Sequence, residues 1–136
     1  RVEKRVVGIS VFSIAQKQLI LSSIGRNSQY AFYAADTAAE CALYWDSRHL
    51  AFDPTAPVTP ISCDTATAIT VSHTDLATYP VTYTFDFEPN AYCAQVTVIK
   101  NTVHPRTVIH ADGFSVPCAD VEVNARVLQR SVELTY

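Results

Sequence analysis

The distribution of proline constrains the fold of this 136-residue chain more than any other feature of its sequence. All seven prolines lie beyond residue 53. Because the proline ring removes a backbone donor and clashes with the preceding helical turn, a long helix fits only in the first third of the chain. The remainder is rich in Val, Thr, Tyr and Phe, which favour strands. The length is that of one domain, so residues 1–136 are predicted to form a single domain, with a helix over 1–45 and an antiparallel sheet region over 46–136.

Apolar residues of the first third recur at helical spacing. They lie three, four or seven positions apart and would form one stripe of a 3.6-residue helix, interrupted by Gln18 and Ser28. The stripe consists of Val7, Val11, Ile14, Leu21, Ile24, Ala31, Ala35, Ala38, Ala42 and Trp45. The polar residues of the same predicted helix, which complement this apolar stripe, are Gln16, Lys17, Arg26, Asn27, Asp36 and Glu40. Gly25 costs about 1 kcal/mol relative to alanine, and the helix would kink or fray there.

The predicted helix is longer than a compact domain of this size. From Val7 to Trp45 it would run to roughly 58 Å at about 1.5 Å per residue, whereas the domain diameter is only ~35–40 Å. The projecting end, residues 6–15, is apolar nearly all round, which is typical of a protein or membrane contact. It is too short for a bilayer span, which needs ~20 apolar residues. The alternative is an amphipathic helix that breaks at Gly25 and folds back.

The helix therefore has two predicted sets of contacts. We expect inter-subunit packing through the apolar residues Ile9, Phe12, Ile14, Leu19, Ile20 and Ile24. We expect packing against the sheet through Ala31, Ala34, Ala35 and Ala38, because small side chains allow a second element to approach closely, and through Trp45 at the end of the same apolar stripe.

The pattern changes to period two beyond Trp45, which predicts strands with one apolar face. The alternating apolar residues are Tyr79, Val81, Tyr83, Phe85 and Phe87, then Tyr92, Ala94, Val96 and Val98, then Val121, Val123, Ala125 and Val127. After Val127 the phase shifts, which indicates a bulge near the C-terminus. Shorter runs at 68–72 and 107–110 bring the total to about five strands, and 101–105 reads as a hairpin loop. Short connections favour an antiparallel sheet with the helix on one face and water on the other, an α+β fold.

Charge and glycine content argue against several functional classes. The net charge of −3 disfavours nucleic acid as a partner, because phosphate binding requires a concentrated basic surface. Residues 1–45 carry five basic and three acidic side chains, or +2, which leaves −5 for residues 46–136. The three glycines, Gly8, Gly25 and Gly113, fit no phosphate-binding or dinucleotide loop.

The four cysteines predict disulfides rather than a metal site. Cys41, Cys63, Cys93 and Cys118 are separated by 22, 30 and 25 residues, without the short spacing of a structural zinc site. Four cysteines permit three pairings, among which sequence alone does not choose. We favour Cys41–Cys63 and Cys93–Cys118, in an extracytoplasmic location. Free buried thiols in a cytoplasmic domain are the alternative.

The titratable residues do not form a recognisable catalytic motif. Neither HExxH nor GxSxG occurs. His104 and His110 have no carboxylate at a motif distance, and these two, His49 and His73 are interpreted as solvated histidines. Asp86 and Glu88 are interpreted as the polar side of a strand rather than an acid–base pair, and the Tyr79–Phe87 aromatics as sheet core. No catalytic, cofactor-binding or metal-binding residue is predicted.

The segment SQYAFYAADTAAECALYWD, residues 28–46, resembles the helix of type IV pilin-like proteins, especially minor pilins. The specific similarity covers roughly residues 16–46. It implies a non-enzymatic filament subunit without a cofactor, whose partners are other pilin subunits. The N-terminal half of the helix would anchor the unassembled subunit in the inner membrane and then pack in the filament core. The C-terminal half would back a sheet exposed at the cell surface.

The sequence departs from the pilin pattern at its start. The residues from Arg1 onward include no leader peptide with a cleavage site and do not begin with an aromatic residue. Glu3 lies among basic residues rather than in an apolar run, and Ala38 stands where relatives often have glycine. We expect a truncated or processed product from which most of the membrane segment is missing. Two alternatives remain, namely a pseudopilin of a secretion or competence system and a free-standing, disulfide-stapled surface binding or adhesion module.

Overall fold

The chain folds as a long helix packed on antiparallel β-structure. The structure is a computed structural model that describes residues 22–136 with their side chains, together with the backbone of the helical segment that precedes them. The elements are α1 (Val2–His49), β1 (Ile61–Cys63), β2 (Ala66–Ile69), β3 (Ser72–His73), β4 (Val81–Phe87), β5 (Ala94–Lys100), β6 (Thr107–Phe114) and β7 (Gln129–Thr135), with 3-10 turns at Pro89–Ala91 and Cys118–Asp120. The predicted α+β class is confirmed.

The main sheet has five strands within residues 22–136, in the order β3-β4-β5-β6-β7, and all neighbours are antiparallel. β1 and β2 form a separate hairpin. The register places Thr84, Thr97, His110 and Glu133 in one row across four strands. Because side chains alternate between faces, this row marks the outer, polar face of the sheet.

The inner face of the sheet carries the predicted apolar residues of two strands. The buried positions are Val81, Tyr83, Phe85 and Phe87 on β4 and Ala94, Val96 and Val98 on β5. The predicted hairpin loop at 101–105 joins β5 to β6, and the Asn101 N–H donates to the Arg106 carbonyl at 2.8 Å. The predicted alternation is therefore confirmed for Val81–Phe87 and for Ala94–Val98.

The alanine face of α1 lies directly on the sheet. Ala31, Ala34, Ala35 and Ala38 have no exposed surface. A Cβ atom built on Gly113 would lie 1.9 Å from the Ala31 carbonyl oxygen and 2.4 Å from the Ala35 nitrogen, so β6 touches the helix backbone here. Trp45 is half-buried, and its indole N–H donates to the Ser62 carbonyl at 2.7 Å.

All four cysteines are in the described part of the chain and form disulfides. Cys41–Cys63 joins α1 to β1, with the Cα atoms 5.7 Å apart. Cys93–Cys118 joins the residue before β5 to the 3-10 turn, with the Cα atoms 4.6 Å apart. These are the two pairings favoured from the sequence.

The strand predicted over 121–127 is wrong, because the segment forms turns. The Asn124 N–H donates to the Asp120 carbonyl at 2.9 Å, and the Asn124 side chain accepts from the Arg126 N–H at 2.8 Å. Such side-chain bonds compete with strand pairing. Val123 is 78% exposed despite its place in the alternating pattern.

The bulge predicted after Val127 is also wrong. β7 begins at Gln129 and pairs with β6 in unbroken register. The change of phase marks the start of this strand rather than an irregularity within it.

Three further boundaries differ from the predictions. Residues 68–72 are divided between β2 and β3, and Ala68 has a φ of 57°. Tyr79 and Tyr92 lie just outside their strands, Tyr79 beside a proline and Tyr92 after the 3-10 turn, so Tyr79 is exposed rather than part of the core. The helix does not end at Gly25 but continues through it.

Candidate subunit interface

Helix α1 leaves its own sheet on the N-terminal side of Ala31. Seven of residues 31–46 are buried, whereas residues 22–30 include none. Close to this point Tyr30 stacks on Tyr92, with ring centroids 4.8 Å apart. Nine described residues, roughly 13 Å of helix, therefore extend past the last buried position.

Ile24 lies on this extending part of α1 and is 46% exposed. It borders an apolar groove of about 480 Å³ between Ser23, Ile24 and Asn27 on the helix and residues 125–128 before β7. Val127 and Leu128 form the apolar part of the opposite wall. Around Ile24, therefore, the rest of the domain covers α1 only in part.

The surface of α1 that the sheet does not cover is apolar as well as polar. Four large side chains on it are exposed, namely Phe32, Tyr33, Leu43 and Tyr44, with Phe32 and Tyr44 each 52% accessible. At about 100° per residue, Tyr33 and Tyr44 lie opposite the buried alanines, and Phe32 and Leu43 lie to one side of them. Exposed Glu40 and half-buried Asp36 lie between them. Single exposed apolar residues are ordinary, but a group on one helix face is typical of an interaction surface.

This outer group is absent from the sequence prediction, in which only polar residues stand outside the apolar stripe. The sequence nevertheless contains a signal for it. Phe32 and Leu43, and likewise Tyr33 and Tyr44, are separated by eleven residues, or about three helical turns, and so lie one above the other. A second stripe at this spacing would have identified them.

Only one residue of the predicted inter-subunit set lies within the fully described residues. Ile24 is exposed, as such a role requires. Ile9, Phe12, Ile14, Leu19 and Ile20, and with them the projecting end at residues 6–15, lie outside the described residues. Among the residues that the structure describes, no helix has the length and apolar character of a bilayer span.

A buried polar cluster fixes the C-terminal end of α1. Asp46, only 6% exposed, accepts hydrogen bonds from Lys100 Nζ at 2.6 Å and from the Tyr136 hydroxyl. Lys100 Nζ also donates to Thr107 Oγ1 at 2.9 Å. Burial and the bond to Asp46 raise the pKa of Tyr136. The helix end is thereby tied to β5, β6 and the residue after β7.

His110 is not a simple solvated histidine, contrary to the sequence interpretation. Its Nε2 lies 2.9 Å from Asp112 Oδ1 and its Nδ1 lies 3.1 Å from Glu133 Oε2. The hydrogen bond to Glu133 is the main cause that raises the pKa of His110. Sequence spacing concealed the arrangement, because Glu133 is brought opposite His110 only by the β6–β7 register.

Of the other histidines, His104 is exposed, and His49 and His73 make local contacts. The His49 ring lies 4.5 Å from that of Trp45, and its Nε2 is 3.2 Å from the Tyr44 hydroxyl. His73 Nδ1 lies 2.7 Å from the Thr74 carbonyl oxygen. Within residues 22–136, no group of three or more His, Cys, Asp or Glu side chains is arranged to hold a metal ion.

The two carboxylates considered as an acid–base pair have separate environments. Asp86 is exposed on β4. Glu88 Oε2 accepts the Cys118 N–H at 3.0 Å, which supports the turn at the second disulfide. The structure does not bring Asp86 and Glu88 together at a common hydrogen-bonding site.

Comparisons with known proteins identify no relative of this chain. No family model matches the chain, and neither a curated protein nor a solved structure does. The features that remain for a functional interpretation are the helix, with its exposed outer face and its extension past the sheet, and the polar outer face of the sheet.

Proposed function

We propose that this chain is a structural subunit of a type IV pilus or a related filament, which assembles through its N-terminal helix with the sheet region exposed. One observation carries the proposal. Helix α1 buries its alanine face against its own sheet, yet exposes Phe32, Tyr33, Leu43 and Tyr44 on surface that the sheet does not cover. Packing within the domain does not account for this group of exposed apolar side chains, whereas contact with neighbouring subunits would.

The extension of α1 supports the same proposal. Ile24 is exposed beyond the last helix residue that packs on the sheet. At about 25 cal/mol per Å², burying a few hundred Å² of helix surface per neighbour would favour assembly by several kcal/mol before association costs. The partners would be other pilin-like subunits.

The rest of the domain suits an exposed position in such a filament. Thr84, Thr97, His110 and Glu133 form a polar row on the outer face of the sheet, which would face the solvent. Two disulfides are consistent with an extracellular location. We infer that the subunit is held in the inner membrane before assembly and lies at the cell surface afterwards.

Two helix variants and a matched control test the proposal. Ile24→Asp and Phe32→Asp each place a charge on the helix surface that neighbours would bury, at positions where the isolated domain is exposed. Val103→Asp makes the same kind of change at a 71% exposed apolar residue of the β5–β6 hairpin. Assembly of the full chain is measured by sedimentation velocity and electron microscopy.

We expect the two helix variants to lose assembly while retaining the circular dichroism spectrum of the parent, and Val103→Asp to assemble normally. Normal filaments from both helix variants would contradict the proposal. A parent chain that stays monomeric at every concentration would instead support a free-standing binding module whose helix is intramolecular.

A further inference from the structure

The two edges of the main sheet differ. At one edge β3 has only two residues, and beyond it the Thr74 N–H donates to the Thr82 carbonyl of β4 at 3.0 Å. At the other edge β7 has seven residues, pairs with β6 without a bulge, and contains neither proline nor lysine. Sheets usually protect their edges with short strands, bulges, proline or charged side chains, lysine above all. Of these devices β7 has only two charged residues of opposite sign, Arg130 and Glu133.

The ladder between β6 and β7 shows which backbone groups are free. Thr107 and Tyr136 exchange both N–H···O bonds, at 2.9 and 3.0 Å, and at the other end the Ser115 N–H donates to the Leu128 carbonyl at 3.0 Å. Because bonding alternates along an antiparallel strand, the even-numbered residues of β7 point their backbone groups at β6.

The odd-numbered residues of β7 therefore point their backbone groups away from the sheet. These are Gln129, Ser131, Glu133 and Thr135, all exposed. In the part of the chain that the structure describes, none of their N–H groups has a hydrogen-bond acceptor. The edge is a regular template for one more strand.

We propose that β7 pairs antiparallel with β7 of a second copy of this chain, around a two-fold axis at Val132. This axis lies at the centre of the strand, so all seven residues find a partner. Ser131 then lies opposite Glu133 of the second copy, Gln129 opposite Thr135, and Arg130 opposite Leu134. Hydroxyl and amide groups meet a carboxylate or one another, and like charges are not opposed.

Neighbouring registers are less favourable. An axis at Glu133 would place two carboxylates directly opposite each other, which destabilises a strand pair. An axis at Ser131 would pair only residues 129–133 within β7. The central register is thus self-complementary, which favours a second copy as the partner, and this pairing would join two sheets into one. This contact is separate from α1 and goes beyond the proposed function.

The register predicts a cross-link. Val132 points its backbone at β6, so the two Val132 residues would form a non-hydrogen-bonded pair, in which Cα atoms lie about 4.5 Å apart. That distance falls within the range of disulfides. Leu134 is also half-buried and on the same face, but would lie opposite Arg130 rather than itself.

The experiment compares Val132→Cys with Leu134→Cys in the full chain under mild oxidation. We expect a disulfide-linked dimer from Val132→Cys on a non-reducing gel and at least tenfold less from Leu134→Cys. Equal cross-linking of the two variants, no cross-linking of either, or attachment of the thiol introduced by Val132→Cys to a different protein would overturn the proposal.

A second pair of variants tests the backbone contact itself. In the Val132→Cys background, Ser131→Pro removes an N–H that faces the free edge, where proline is tolerated. Ser131→Ala is the matched control, since both changes remove the hydroxyl that donates to Asp112. We expect Ser131→Pro to reduce cross-linking at least tenfold relative to Ser131→Ala, and equal cross-linking would overturn the proposal.

Two controls separate this proposal from other causes of failure. Circular dichroism and mapping of the native disulfides establish that each variant is folded; if Ser131→Pro is not, the comparison of Val132→Cys with Leu134→Cys still decides. Adding Ile24→Asp to Val132→Cys should leave the cross-link unchanged, because the helix is not involved. If the variant with both Ile24→Asp and Val132→Cys loses filaments but keeps the cross-link, the helix contact and the β7–β7 contact form independently.

Discussion

Gly113 of β6 lies directly against the Ala31 backbone of α1, so closely that a Cβ atom there would lie 1.9 Å from the Ala31 carbonyl oxygen. The obstacle is backbone, which a rotamer change does not relieve. The absence of a side chain at this one position therefore sets how near the helix lies to the sheet.

Replacing Gly113 with alanine should destabilise the domain by about 3 kcal/mol, the upper part of the usual range for overpacking. The change is measured by urea unfolding with the disulfides intact. Gly25→Ala is the control, because a Cβ atom there meets nothing within 4 Å. It should increase helix content and add up to about 1 kcal/mol of stability. Equal stability of the two variants would show that the contact between α1 and β6 can accommodate a side chain at position 113 without a loss of stability.

Stability should depend on pH through His110. Its pKa is raised above 6.5 in the folded protein, chiefly by the hydrogen bond to Glu133. The stabilisation by the charged imidazole is therefore fully present below about pH 6.5 and is lost as pH rises through the raised pKa. In His110→Gln and in Glu133→Gln, the urea unfolding midpoint should change less with pH between about pH 6 and pH 8 than it does in the parent. A parent protein that is more stable at pH 8 than at pH 6, relative to both variants, would contradict this.

Removing the Asp46 carboxylate should cost about 3 kcal/mol, because Lys100 would be left largely buried without its partner. The double variant Asp46→Ala/Lys100→Met should be more stable than Asp46→Ala alone, since it removes the unpaired charge as well. A double-mutant cycle from urea unfolding measures the difference. Additive losses would mean that the two side chains do not interact in solution.

Replacing both Phe12 and Ile20 with aspartate should abolish assembly while leaving the sheet region folded. Both residues belong to the predicted apolar packing surface of the helix, and two charges in a buried helix contact carry a large desolvation cost. Sedimentation velocity reports assembly, and near-ultraviolet circular dichroism reports the fold of the domain. Normal filaments from this variant would defeat the filament assignment.

The parts of the fold that could be predicted from sequence are those set by local pattern. The absence of proline defined the region of α1, and the alternation in β4 and β5 identified the residues that face the core. The same alternation failed at 121–127, because a period of two says which residues could share a face but not whether a neighbouring strand is present. Asn124 and Asp120 supply local partners there instead.

The polar contacts could not be predicted because they depend on register and on distant parts of the chain. Glu133 is opposite His110 only through the pairing of β6 with β7. Lys100 and Tyr136 lie 54 and 90 positions from Asp46 in the sequence. No spacing rule connects residues so far apart. The exposed outer face of α1, in contrast, had a sequence signal in the repeated aromatic positions.

The Cys41–Cys63 disulfide has a mechanical consequence. It bonds α1 to β1 near the C-terminal end of the helix, where Asp46 meets Lys100, whereas Ala31 meets Gly113 further toward the N-terminus of the helix. Tension applied to the N-terminal end of α1 would reach the small hairpin through a covalent bond. The non-covalent contacts between α1 and the sheet run along the length of β6. Under such tension they would bear a shear force at the same time, rather than break one after another.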